Sequence, residues 1–208
     1  MLENFQNQLF PYAKRKELQY KAFSCIAARL QKSGVLSFRP SMSLLKTAAL
    51  LAWEGHLTSV KRMDIRDKSI RDIPRDQMEK LASIVTGEVY IFNMTHHDQL
   101  GSILASVKCT QLGLVRMDLS DTETRALVTA MRDRLETVVL SGVTLDMEEL
   151  AKYNGQGHCS WLELWDDNMM LRYGERLREW AADQGWTVTE MDGILRMERN
   201  SLASCIIM

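Results

Sequence analysis

The chain has 208 residues, a formal net charge of −1, 46% hydrophobic residues and four cysteines. That length can bury a core and holds one or two domains. It excludes several classes: no run approaches the ~18 apolar residues of a membrane span, Met1-Leu2-Glu3-Asn4 opens into polar residues instead of a signal-peptide core, and Leu2 rules out N-myristoylation.

Charge is unevenly placed. Residues 1–62 carry ten Lys/Arg against Glu3, Glu17 and Glu54, a net of +7, so the remainder is −8. A basic head on an acidic body suits self-association, an anionic membrane surface or an acidic partner; two solvated faces of unequal charge would give the same count. The overall charge supplies no argument for nucleic acid, and none is expected. Cys25, Cys109, Cys159 and Cys205 are widely scattered. That pattern fits a reducing intracellular compartment better than a disulfide framework.

Residues 1–12 read as poorly ordered. Leu18, Ala22, Cys25, Ile26 and Leu30 recur at helical spacing, predicting an amphipathic helix over 14–32 that Ser33-Gly34 ends. A second helix runs from Ser43, a capping residue, to Trp53, and Gly55 terminates it. Residues 1–57 are therefore expected to form a helical N-terminal cap.

From residue 58 an apolar-x-apolar strand recurs at Met63-Asp64-Ile65, Val89-Tyr90-Ile91, Leu112-Gly113-Leu114, Val138-Val139-Leu140, Leu162-Glu163-Leu164 and Val188-Thr189-Glu190. First residues are spaced 26, 23, 26, 24 and 26, a mean of 25. Short helical patterns lie between them: 78–85, 100–107, 124–134, 147–153 and 171–182. A strand-plus-helix unit of this period belongs to leucine-rich repeats; a doubly wound sheet needs roughly 30 or more residues per crossover. Met63, Met78, Met117, Met131, Met147 and Met197 fall on the apolar period and read as core.

Cys109-Thr-Gln-Leu112-Gly-Leu114 and Cys159-Ser-Trp-Leu162-Glu-Leu164 share Cys-x-x-Leu-x-Leu, 50 residues apart. This resembles the ribonuclease-inhibitor-type leucine-rich repeat, also found in the repeat domains of nucleotide-binding immune receptors, in which a Cys often opens the strand. The resemblance covers about 58–190. The Asn or Cys that the family places three residues after the second strand Leu is replaced by Lys68, Met94, Met117, Val143 and Asp167, which cannot build an asparagine ladder. The resemblance implies an α/β solenoid, with parallel strands on one face and helices on the other. Trp186 to Glu198, with Asp192-Gly193 between alternating residues, predicts a type I′ hairpin that caps its end. The domain then spans 58–199, leaving 200–208 as a tail.

Nothing points to catalysis. No Gly cluster matches a phosphate-binding loop. On the repeat pattern His96-His97 follows a strand and His158-Cys159 precedes one, so they fall on different edges and do not converge on a metal. Asp166-Asp167 reads as a strand-to-helix turn. No cofactor and no metal are expected. The positions of interest lie between and after the strand apolar residues, where a leucine-rich solenoid presents its concave face. Of these, Arg66, Tyr90, Phe92, Glu163, Trp165 and the following Asp166 are the candidate protein-binding residues. The alternative is that the aromatics pack beneath a loop or the N-terminal helices.

Cys205-Ile206-Ile207-Met208 reads as a Cys-aliphatic-aliphatic-X box, in which Met at X favours farnesylation of Cys205. One lipid chain binds weakly, and the segment before it has two Arg and one Glu with no second Cys. A second signal is absent, lies elsewhere in the fold, or comes from a partner. The expectation is a non-catalytic interaction module that holds a protein partner on its concave face and sits on the cytosolic face of a membrane through a prenyl group. The alternatives are a small intracellular α/β enzyme with an unrecognised site, and a regulatory or decoy fragment related to immune-receptor repeats.

Overall fold

The computed structural model describes residues 25–199 apart from Ile26, 33–34, 37–41, 67–69, Arg71, 95–98 and 154–156. Most of the first expected helix, His96-His97 and the tail with Cys205 lie outside the described residues.

The chain is a mixed α/β structure around one open, mostly parallel sheet. Cys25 and residues 27–32 are helical. There follow β1 (Val35–Leu36), α1 (Met42–Trp53), β2 (Val60–Arg66), α2 (Arg75–Ser83), β3 (Val85–Phe92), α3 (Leu100–Ser106) and β4 (Gln111–Asp118). Then come α4 (Asp121–Asp133), β5 (Thr137–Thr144), α5 (Met147–Ala151), β6 (Trp161–Trp165), α6 (Asp167–Asp183), β7 (Trp186–Met191) and β8 (Ile194–Arg199). Strands β1 to β6 pair in chain order and in parallel.

The apolar-x-apolar pattern dictates this arrangement. Alternate strand residues point to opposite sides, and Met63/Ile65, Val89/Ile91, Leu112/Leu114, Val138/Leu140 and Leu162/Leu164 are all buried. Register aligns these pairs strand to strand, Val89 beside Leu112 beside Val138 beside Leu162. The methionines placed on the apolar period, from Met63 to Met197, are core as expected.

The three central strands each bend at a left-handed residue: Asn93 (φ 52°) just past β3, and Arg116 (φ 53°) and Gly142 (φ 61°) two residues before the ends of β4 and β5. Each lies two positions after its strand's second core residue. Because of that bend the next side chain, Met94, Met117 or Val143, is buried. These are the positions where the resembled family carries Asn or Cys. Here thioether and aliphatic carbon fill the space, and the Val143 N–H points at the Met169 sulfur, 3.2 Å away.

Helix ends follow local chemistry. Gly55 (φ 78°) closes α1, with the His56 N–H returning to the Leu51 carbonyl at 2.8 Å. Ser120 and Glu123 form a reciprocal capping box on α4. Asp146 caps α5 and Asp166 caps α6. Tyr153, Trp180 and Trp186 close the C-terminal end of the core with ring centroids 5.5–6.3 Å apart.

Two expectations are corrected. The N-terminal cap is not purely helical: β1 adds a strand beside β2, Leu36 opposite Met63, and α1 packs on α2 as the start of the helical row. The strand containing Val188 is not the next parallel neighbour of β6. Asp192 (φ 52°) and Gly193 (φ 75°) turn the chain straight back. β8 then takes the place beside β6, antiparallel to it, and β7 becomes the outer edge. Burial decides this order: β8 carries Leu195 and Met197, both fully buried, whereas β7 carries exposed Thr187, Thr189 and Glu190.

On the helical layer, Glu149 is nearly buried and receives Arg125 (3.0 Å) and Lys152 (2.5 Å). The Arg125 guanidinium, then the Lys152 ammonium, pull its carboxyl down to about 2. A lowered folded-state value stabilises the fold above the unfolded carboxylate pKa of about 4.3 and loses that effect as pH falls through the folded value. Glu149→Gln should therefore lower the thermal midpoint at neutral pH, and the gap to wild type should close between about pH 4 and 2. A gap independent of pH would refute the ion-pair account.

Candidate functional site

Among the described residues the helices leave one side of the sheet uncovered, and the intervening strand positions line it. Register sorts them into rows: Arg62, Glu88, Gln111, Thr137, Trp161, Glu198; then Asp64, Tyr90, Gly113, Val139, Glu163, Arg196. A third row runs Arg66, Phe92, Val115, Ser141 on one side and Trp165, Ile194, Met191 on the other. Small residues occupy the middle, with a cluster at each side.

The cluster on β2–β4 is built around Tyr90. The Arg62 guanidinium lies 4.7 Å from the Tyr90 ring centroid, and Arg66 lies 5.0 Å from that of Phe92. The two rings stack with centroids 6.3 Å apart. Arg62 is in turn held by Asp64 (3.3 Å) and Glu88 (3.2 Å). Gln111 Nε2 donates to the Tyr90 hydroxyl at 2.6 Å. The ring lies across β4 at Gly113, where a Cβ would sit 2.2 Å from Tyr90 Cδ1. Burial raises the Tyr90 phenol above its ordinary pKa.

The cluster on β6 and β8 centres on Glu163, only 6% exposed. Its carboxylate accepts from Trp161 Nε1 (2.8 Å), Trp165 Nε1 (2.7 Å) and Arg196 Nε (3.0 Å). Arg196 also stacks 4.6 Å from the Trp161 centroid. One buried carboxylate thus orients two indoles and a guanidinium. The Trp165 ring is 47% exposed. Beside it, Thr189, Met191, Ile194 and Arg196 border a hollow of about 450 Å³.

The expected residues divide accordingly. Arg66, Tyr90, Phe92 and Trp165 lie on the uncovered face. Glu163 does too, but as the anchor beneath the indoles and not as a contact surface. Asp166 does not: its carboxylate caps α6, accepting from the Asn168 N–H at 2.7 Å. Sequence reasoning missed Arg62, Trp161, Gln111 and Arg196. The period-2 alternation on either side of named strand residues carried that signal for the first three, and the hairpin register carried it for Arg196.

The two strand-opening thiols, Cys109 and Cys159, are fully buried, and burial pushes both up to about 11. They are core groups that stay protonated at neutral pH. His158 rests its Nδ1 against the Arg132 carbonyl at 3.2 Å. Among the described residues no group of three or more His, Cys, Asp or Glu could hold a metal ion, and no helix is long and apolar enough to cross a membrane. Comparison with protein-family models, curated proteins and solved structures finds no match.

The Tyr90–Gly113 contact makes a specific demand on β4. Gly113→Ala should force the ring off its seat and cost about 1–3 kcal/mol, as overpacking does. Tyr90→Ala in the same chain should recover most of that loss in a double-mutant cycle. Additive losses in chemical denaturation would dismiss the contact.

Proposed function

We propose that this chain is a non-catalytic protein-binding module, a leucine-rich-repeat-like solenoid that uses its helix-free face to hold a partner and is tethered by farnesylation of Cys205. The observation that carries the reading is the Glu163 cradle. Trp165 projects an indole that is half exposed yet fixed at its Nε1. A rigid, partly exposed aromatic binds without losing rotamer freedom, as interface anchors do. Small residues at Gly113, Val139 and Ser141 leave room between it and the Tyr90–Phe92 stack. The repeated register, with core pairs aligned over β2 to β6, supports the solenoid reading.

In affinity capture from a eukaryotic lysate, a partner held by this face should lose about 2 kcal/mol or more with Trp165→Ala, roughly thirtyfold in Kd. The thermal midpoint should barely move. Undiminished capture, or a large drop in stability, would count against Trp165 as an anchor.

Tethering is tested by mass. In a eukaryotic cell the protein should carry a farnesyl group on Cys205 with the last three residues removed, and Cys205→Ser should shift it from the membrane fraction to the cytosol. Attachment should be partial, since one chain gives only marginal binding. An intact mass equal to the unmodified 208 residues would leave the binding module without its tether.

A further inference from the structure

The sheet has two ends, and they differ. At one, β1 is two residues long. At the other, β7 runs six residues, Trp186–Met191, and pairs residue for residue with β8 without a bulge. Edge strands are usually protected from pairing by Lys, Pro, bulges or short length. β7 has no Lys, Pro or bulge, its one charge, Glu190, is paired with Arg178, and among the described residues no further strand pairs with its outer edge.

Its hydrogen-bonding polarity follows from the turn. Met191 and Ile194 flank a two-residue loop, so Met191, Thr189 and Thr187 direct their backbone groups to β8. Trp186, Val188 and Glu190 direct theirs outward. We infer that β7 pairs antiparallel with β7 of a second copy of this chain, about a two-fold axis at Val188.

That register uses the free edge most fully. Val188 meets the partner's Val188, and Trp186 meets the partner's Glu190 on both sides of the axis. Each is a hydrogen-bonded pair of the antiparallel type. A two-fold interface must be self-complementary, and an antiparallel strand pair meets that condition. Side chains agree with it. On the helix-free face Thr187 falls opposite the partner's Thr189, a favourable cross-strand pair. On the helical side the Trp186 indole Nε1–H is buried with no acceptor among the described residues, and the register brings the partner's Glu190 carboxylate opposite it. Glu190 is already neutralised within its own chain by Arg178, so the seam receives no unpaired charge. The two sheets join into one, with both helix-free faces on the same side.

The test uses the full chain. Sedimentation should report twice 23.9 kDa as concentration rises into the micromolar range. Thr187→Lys/Thr189→Lys sets like charges opposite each other at two places, on side chains already exposed. It should yield a monomer that keeps the wild-type circular-dichroism spectrum and unfolds cooperatively, with a midpoint that no longer depends on protein concentration. In a Cys25→Ser/Cys205→Ser background, Val188→Cys should form a covalent dimer on mild oxidation, because hydrogen-bonded pairs bring Cα atoms to about 5.5 Å. Met191→Cys should not, since its copies lie roughly 20 Å apart in this register. A monomer at every concentration, a dimer indifferent to the lysines, or equal cross-linking at 188 and 191 would overturn the proposal.

Discussion

Everything in this molecule rests on the burial of one side of each strand. Two core residues per strand, aligned by parallel register, meet a row of helices, and among the described residues no second layer covers the other side. Backbone pairing fixes the strands side by side, but it is the apolar pairs, Val89/Ile91 through Leu162/Leu164, that select which side faces inward. A one-residue slip would turn Tyr90, Gly113, Val139 and Glu163 into the core and expose the pairs. The side away from the helical row is therefore the necessary complement of the core pattern, and its residues pack on one another instead of into the core.

Much of this was legible from periodicity. The 25-residue recurrence located β2 to β6, and Asp192-Gly193 located the hairpin, because period-2 alternation and a turn with two positive-φ residues are local features. β1 escaped notice because Val35-Leu36 is too short to alternate, although Leu36 precedes Met63 by 27 residues, close to one period. The position of β8 escaped notice because strand order is not local: it depends on whether Leu195 and Met197 or the threonines of β7 gain more from a buried place. At the site, sequence spacing put Tyr90, Phe92 and Trp165 on strand positions that point away from the core. It misread Glu163, since a carboxylate between two strand leucines looks like a surface group until two indoles and an arginine close over it.

The two clusters on the uncovered face show different ways of fixing aromatic side chains. Around Tyr90 the ring lies flat, supported from below by the absence of a side chain at Gly113 and flanked by Arg62. Around Glu163 the rings are tied by their N–H groups to one buried charge whose own partner is Arg196. The first depends on shape together with the guanidinium groups of Arg62 and Arg66 over its rings. The second depends on the shared acceptor: without Glu163 both indole N–H groups and Arg196 would lose their common partner.

The insertion of β8 between β6 and β7 has a consequence for the order in which the sheet can be made. From β1 to β6 each strand pairs with the one synthesised just before it, so loop closures are short and the sheet can grow from its N-terminal end as the chain emerges. That simple growth stops at β7, which appears before the strand that will hold it. Until Arg199 has left the ribosome, β6 has an open edge with Leu162 and Leu164 unsheltered on that flank, and β7 has nothing to pair with. The six residues of β8 thus act as a closing strand, and a chain interrupted between Met191 and Ile194 would leave a nearly complete sheet with an unfinished and adhesive end.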